Sequence, residues 1–266
     1  MTTVASKVDL EEAILTNLKE TVSPSRLSLF LQCRLKFWFR YVRQIEKPKS
    51  PALHLGSCVH STLKAWNKAR WRGRTLTMEQ SKAEYLLAWK GEASTVVWDG
   101  NEESFQQTGW ALLELYLGQT ERRSRTPEAV EVPVEADLSS AGLPRLVGII
   151  DLVEGGIIVD YKSSASTPTP ARVAHSNEIQ TTAYATLYRE TTGTIERGIE
   201  IHTLVKLKRP KIVTTALPAI TEAQKTRLFR LIESYMEGVG RHDWVPSPGL
   251  QCSCCEYFSE CRNWSA

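Results

Sequence analysis

LVGIIDLVEGGIIVDYK, residues 146–162, decides how the rest of the chain is read. Two runs rich in Val, Ile and Leu flank Gly155-Gly156, and a Gly-Gly pair between apolar runs signals a two-residue hairpin turn whose central residues both need positive φ. If those glycines are the loop, Glu154 faces Ile157, Val153 faces Ile158, Leu152 faces Val159 and Asp151 faces Asp160. Opposed side chains on one face have Cβ atoms about 4.5–5.5 Å apart, and Lys162, two residues on, shares that face. Two carboxylates and an ammonium therefore converge. A three-residue loop would slip the register by one and turn Asp151 away from Asp160.

Both faces of the two runs are otherwise apolar, which predicts a central, covered strand pair rather than a surface hairpin with incidental charges. Like charges opposite one another destabilise a sheet, and carboxylates taken out of water need compensation. A divalent cation would supply it. Asp151, then Asp160-Tyr161-Lys162, resembles the D…(D/E)xK signature of the PD-(D/E)XK nuclease superfamily, although D-x-K alone is common by chance.

The chain has 266 residues, 42% of them hydrophobic, and a formal charge of +3. That length buries a proper core as one domain with peripheral additions. No run approaches the ~20 apolar residues of a membrane span, and the N-terminus lacks the basic-then-apolar layout of a signal peptide, so a cytoplasmic protein that does not enter the membrane is expected. So small a net charge does not declare nucleic-acid binding, which must rest on local clusters such as Lys206, Lys208, Arg209 and Lys211 or remain a solvated edge.

Outward from the hairpin, SPSRLSLFLQCRLKFWFRYV (23–42) reads as one helix. Ser23 caps it, Pro24 takes its first position, and Leu27, Phe30, Leu31, Leu35, Trp38, Tyr41 and Val42 form a stripe, with Cys33 off it beside Leu29 and Phe37. Arg26, Arg34, Lys36, Arg40 and Arg43 add charge that meets phosphates or solvent. After Leu55-Gly56-Ser57 a helix carries Val59, His60, Leu63 and Trp66; a lone histidine beside such a stripe is more often a core residue than a ligand. Arg70 to Trp110 reads as helical with a loop near Trp98-Asp99-Gly100-Asn101.

A strand over 129–136 brings Glu131 or Glu135 toward the hairpin. Past the Pro-broken SSASTPTP, a helix from Asn177 to Thr191 places Gln180 and Tyr184 on one face by their i, i+4 spacing. Asn177-x-x-Gln180 is also a capping-box pattern, which would explain the glutamine locally. Strands over 199–207 and 212–216 and an amphipathic helix over 221–239 complete an α/β pattern.

Cys252, Cys254, Cys255 and Cys261 crowd the C-terminus. In an intracellular chain such a cluster is a metal site more often than a disulfide, with zinc and iron-sulfur both open. Using adjacent Cys254 and Cys255 together strains one tetrahedral centre, so a distant fourth ligand is easier.

With these residues placed, the chain resembles a RecB-family exonuclease domain of the AddB kind, a group that includes the iron-sulfur exonucleases of CRISPR spacer acquisition. The resemblance is carried in order by Ser23 and Ser25 with Cys33, Gly56 with His60, Gly148 with Asp151, Asp160 with Lys162, Gln180 with Tyr184, and Cys252, Cys255 and Cys261. Cys254 is an extra thiol, and the helicase-like region of many relatives has no counterpart.

The resemblance implies a restriction-endonuclease-like core, a mixed sheet flanked by helices. Residues 23–266 would form the nuclease domain behind an N-terminal extension (1–22), with core motifs over 129–216. It implies Mg²⁺ or Mn²⁺ on His60, Asp151, Asp160 and the Tyr161 carbonyl, with catalysis by Asp151, Asp160, Lys162, Gln180 and Tyr184. A 4Fe-4S cluster on Cys33, Cys252, Cys255 and Cys261 would staple the first helix to the C-terminus. The implied activity is exonucleolytic cleavage of single-stranded DNA or DNA ends, in repair, recombination or CRISPR and phage DNA processing, with a helicase, recombination or CRISPR partner. A non-catalytic DNA-binding and partner-docking module of the same fold is the alternative.

Overall fold

The computed structural model describes residues 7–92, 95–98, 100–120 and 125–265. Helix α1 (Lys7–Glu20) and strand β1 (Thr21–Val22) lead into α2 (Pro24–Gln32), α3 (Arg34–Phe37) and a π-helical turn, Trp38–Val42. Helices α4 (Pro51–Trp71), α5 (Met78–Glu92) and α6 (Glu102–Thr120) precede strands β2 (Pro127–Ala136), β3 (Arg145–Glu154) and β4 (Ile157–Ser164). Then come α7 (Pro170–Ser176), α8 (Glu178–Thr192), β5 (Gly198–Val205), β6 (Lys211–Leu217), α9 (Glu222–Gly240) and α10 (Phe258–Arg262). The chain falls into two compact units. One takes the residues up to Lys47, Glu135–Gly148 and Thr221 onward; the other takes Pro48–Val134 and Ile149–Ile220. No helix among the described residues is long and apolar enough to cross a membrane.

The second unit is built on a mixed sheet in which β3 and β4 are antiparallel, β4 and β5 parallel, β5 and β6 antiparallel, and β2 pairs with β3. Gly155 and Gly156 both adopt positive φ, 59° and 71°, as the hairpin turn requires. The register follows: Glu154 opposite Ile157, Val153 opposite Ile158, Leu152 opposite Val159. It stops one pair short of the expected partnership of Asp151 with Asp160. Asp151 Oδ2 instead accepts the Tyr161 N–H at 3.1 Å, so a side chain takes the donor that continued pairing would use.

Strand alternation divides the sheet into two faces. Leu152, Val159, Tyr161 and Leu204 join Leu55, Leu63 and Trp66 of α4, Tyr85 and Trp89 of α5, and Leu112 and Tyr116 of α6 in one buried cluster. Asp160 and Lys162 point the other way, to α8. Helix α4 starts where Ser50 accepts the Leu53 N–H ahead of Pro51. The stretch expected to be helical from Arg70 to Trp110 is divided among α4, α5 and α6, and Asp99 of its expected loop lies outside the described residues.

At the hairpin's turn end, Arg70 of α4 meets Glu154 at 2.7 Å, and both side chains are nearly sealed from solvent. Arg70 also donates to Asn67 Oδ1 and to the Arg125 carbonyl, so its remaining charge depends on Glu154. Glu154→Ala is expected to cost about 3–5 kcal/mol in urea unfolding, the cost of a buried charge left without its partner. A loss below 1 kcal/mol would mean that Arg70 finds water.

In the first unit β1 pairs in parallel with Arg145 and Leu146 at the start of β3. Phe30, Phe37 and Tyr235 stack edge-on with centroids 5.2 to 5.7 Å apart, and the Tyr235 hydroxyl donates to the Leu18 carbonyl of α1 at 2.9 Å. The single helix expected over 23–42 is broken. Ser23 does cap α2, but Cys33 is extended (φ −165°, ψ 110°), and the Leu35 N–H leaves the helix ladder for the Val245 carbonyl at 3.1 Å. The break thus falls on the cysteine that the sequence singles out.

Candidate active site

Five elements of the second unit, α4, β2, β3, β4 and α8, converge near the end of the β3–β4 ladder. Helix α4 brings His60, whose Nδ1 lies 3.5 Å from Asp151 Oδ2. Strand β2 brings Glu131, held by Lys64 at 3.3 Å. One ligand atom from each of His60, Glu131 and Asp151 falls within 4.8 Å of the others, and this is the sole such group among the described residues. Glu131 has a φ of 52°, left-handed geometry that a non-glycine residue adopts at some cost and that removes it from ordinary strand alternation. Glu135, the other acid of that strand, lies in the first unit beside Arg145 and is exposed.

Asp160, Lys162, Gln180 and Tyr184 form a second, contiguous set. Lys162 Nζ lies 2.8 Å from Asp160 Oδ2 and donates to Gln180 Oε1 at 2.7 Å, while Gln180 Nε2 donates to Asp160 Oδ1 and to the Tyr184 hydroxyl, both at 3.0 Å. Because an ammonium can only donate, the amide of Gln180 must present its oxygen to Lys162 and its NH₂ to Asp160. The capping-box reading of Gln180 is therefore displaced. Asn177 makes no side-chain cap bond and turns its amide to the Val173 carbonyl instead.

Tyr161 lies between the two sets. Its N–H goes to Asp151, and its ring hydroxyl, on the opposite face, receives Asn67 Nδ2 at 2.9 Å. Tyr116 links it to His202 Nδ1 at 2.8 Å, and His202 Nε2 to Glu200 at 2.9 Å, a buried polar chain that residue types alone do not reveal. Nothing in strand periodicity distinguishes such a chain from ordinary core aromatics.

The electrostatics favour a cation. Burial, then the charge of Asp160, raises the Asp151 carboxyl from its ordinary 3.8 to about 6; Glu131 adds to the rise, while His60 and the Tyr161 N–H oppose it. Asp160 is only 3% exposed at its side chain, and its Oδ2 accepts no hydrogen bond of good geometry despite the nearby ammonium. An imidazole, two half-buried carboxylates and a buried carboxylate oxygen with unused capacity fit a hard divalent ion.

A family description for the PD-(D/E)XK nuclease superfamily matches residues 21–262, nearly the whole chain. The chain belongs to the PD-(D/E)XK nuclease superfamily. The D…DxK spacing read in the sequence falls at Asp151, Asp160 and Lys162. A solved candidate exonuclease from Eubacterium rectale superposes on this superfamily member with a TM-score of 0.62 at 17% identity, over 100% of this chain and 94% of its own, which shows a shared fold. A second solved protein, SSO0001, aligns over 94% of this chain and 95% of its own at 13% identity with a TM-score of 0.37. A search among curated proteins returns no match.

The first unit of this nuclease-superfamily chain holds the cysteines. Cys33, Cys252, Cys255 and Cys261 line one cavity of about 360 Å³ with Leu35, Phe39 and Tyr257. Burial, followed by the neighbouring sulfurs of Cys33, Cys252 and Cys255, raises the Cys261 thiol above its usual range. Cys254 is exposed, its thiol turned to the Gln251 carbonyl. Zinc would draw four sulfurs to about 3.8 Å of one another at its ~2.3 Å bond length. Among the described residues no three of these sulfurs lie within 4.8 Å of one another.

Proposed function

We propose that this protein is a Mg²⁺- or Mn²⁺-dependent deoxyribonuclease, an exonuclease acting on single-stranded DNA or DNA ends. The observation that carries it is the paired arrangement in the second unit, where a buried Asp160, ion-paired with the Lys162 ammonium, acts by its charge on Asp151 of the His60–Glu131–Asp151 group. A binding module would have no use for buried carboxylates that repel one another.

His60, Asp151, Asp160 and the Tyr161 carbonyl would hold the ion, with Glu131 as a further ligand. Such an ion would orient water, lower its pKa and neutralise charge on the phosphate oxygens. Lys162 would donate to the charge that develops at phosphorus, or take a proton from the attacking water. Gln180 fixes the Lys162 ammonium in place, and its bond to Tyr184 leaves the phenol its own O–H to give to the DNA backbone.

In this reading residues 23–266 act as one nuclease domain and 1–22 as its extension. A 4Fe-4S cluster on Cys33, Cys252, Cys255 and Cys261 would tie α2 to the C-terminal segment, a structural rather than redox role. The setting would be cytoplasmic, in repair, recombination or CRISPR and phage DNA processing beside a helicase-like partner.

Anaerobically purified protein incubated with end-labelled single- and double-stranded DNA and Mg²⁺ or Mn²⁺ tests the activity and its polarity. Lys162→Ala is expected to lower kcat roughly 100- to 1,000-fold while DNA affinity stays within about threefold, since its charge matters most in the transition state. Equal losses in both would make Lys162 a phosphate anchor.

A further inference from the structure

We propose that the β5–β6 connection is a backbone-binding rail for the strand being cleaved, gripping phosphates a few nucleotides from the scissile one. The proposal rests on the nuclease reading above and states where its substrate runs. Strand β5 lies parallel to β4, with Lys162 opposite Thr203 and Ser164 opposite Val205. The Lys206 N–H continues the pattern onto the Ser164 carbonyl at 2.8 Å. The connection therefore leaves β5 at the same end of the sheet at which β4 carries the DxK motif. Lys206 stands three residues past Thr203, about 10 Å along the strands at ~3.3 Å per residue. That places it within a few nucleotides of the DxK motif on a strand whose axial rise is ~3.4 Å per nucleotide.

What emerges there is Lys206-Leu207-Lys208-Arg209-Pro210-Lys211, four cations with no acidic residue until Glu222. Among the described residues none of the four cations forms an ion pair. The preceding acid, Glu200, is taken by Arg125 and His202. Lys208, Arg209 and Lys211 are exposed, whereas Lys206 is half-buried, and burial lowers its pKa, so its ammonium has already lost water that an anion would replace. Leu207 is 42% exposed among these charges, an apolar surface for a sugar or base. Helix α7, which packs on β6, carries the exposed Arg172. Lysines also guard edge strands against pairing, and β6 is an edge. That role calls for charges along the strand, but three of these four cations precede it and the fourth is its first residue.

The test uses the full chain with Lys208→Gln and Arg209→Gln combined, both exposed and outside the catalytic set. Binding of a labelled 20-nucleotide single strand in EDTA is followed against KCl, beside cleavage of that strand and of thymidine 5′-(p-nitrophenyl phosphate), which is too short to reach the rail. Loss of two phosphate contacts is expected to weaken strand binding roughly 10- to 30-fold at 0.1 M salt and to flatten the slope of log K against log salt by about 1.4. KM for the strand should rise with kcat unchanged, and kinetics on the small ester should not move. Unchanged affinity and slope overturn the rail, as does an equal loss on the small ester. If neither protein cleaves anything but the affinity and slope respond as stated, the rail stands and the nuclease reading fails.

Discussion

Asp151→Asn is expected to abolish cleavage while making the metal-free protein more stable at neutral and alkaline pH. In the folded chain burial and the Asp160 charge raise the Asp151 carboxyl to about 6, against 3.8 ordinarily. The folded state therefore holds this proton more tightly than the unfolded one. That contribution is complete below about pH 4 and is lost as pH rises through 6, a difference near 3 kcal/mol at ~1.4 kcal/mol per unit. Asparagine carries no charge to lose, and its Oδ1 can still accept the Tyr161 N–H that Asp151 accepts now. In EDTA at pH 8 the variant should melt about 6–10 °C above wild type, and at pH 4 the two should coincide. Mn²⁺ should raise the wild-type Tm and leave the variant's unmoved, and cleavage should fall roughly 1,000-fold or more, the equivalent of ~4 kcal/mol of lost charge stabilisation. A variant that melts lower than wild type at pH 8, or still binds Mn²⁺, would remove Asp151 from the site.

This opposition between stability and function marks where reading the sequence succeeded and where it stopped. The hairpin register could be read because a Gly-Gly turn admits few alternatives and a one-residue slip would expose Leu152 and Val159. Its end could not be, because the contest for the Tyr161 N–H between a strand carbonyl and the Asp151 side chain is settled by geometry beyond the pair. Glu131 and Glu135 have equal claims by alternation; the left-handed backbone at Glu131 separates them, and no propensity announces it. Leu27, Phe30 and Leu35 keep their expected burial across the break at Cys33, but past it Phe37 and Phe39 are buried where the stripe called for Trp38 and Tyr41, because the break and the π-helical turn shift the phase. The Leu35 N–H finds its acceptor at Val245, a partner too distant in sequence for any local pattern. Gln180 shows the same limit from the other side, for a capping-box spelling is identical whether the glutamine caps its helix or reaches Lys162.

If the proposed cluster is present, Cys33→Ser is expected to lose it and much of the protein's thermal stability while leaving the carboxylate site able to bind Mn²⁺. Cys33 lies over two hundred residues before Cys252, so a cluster that ties them closes a very long loop. Closing such a loop removes unfolded-chain entropy on the order of ~4–5 kcal/mol, whereas a metal held by the C-terminal cysteines alone would constrain little. The four cysteines line one cavity, and the helix breaks at Cys33. Wild type prepared without oxygen should be brown with about four irons per chain. Cys33→Ser should be colourless, melt roughly 10–15 °C lower, and expose the segment from about Trp244 to protease. Cys254→Ser should keep its iron because that thiol is exposed and turned to a backbone carbonyl, and Cys58→Ser should keep it because Cys58 is buried against His54 in the other unit. Iron retained in Cys33→Ser and lost in Cys254→Ser would place the metal on Cys252, Cys254, Cys255 and Cys261. Zinc without iron after anaerobic handling would replace the cluster with a mononuclear staple, and the sulfurs would then have to close from their present spacing to about 3.8 Å on metal binding.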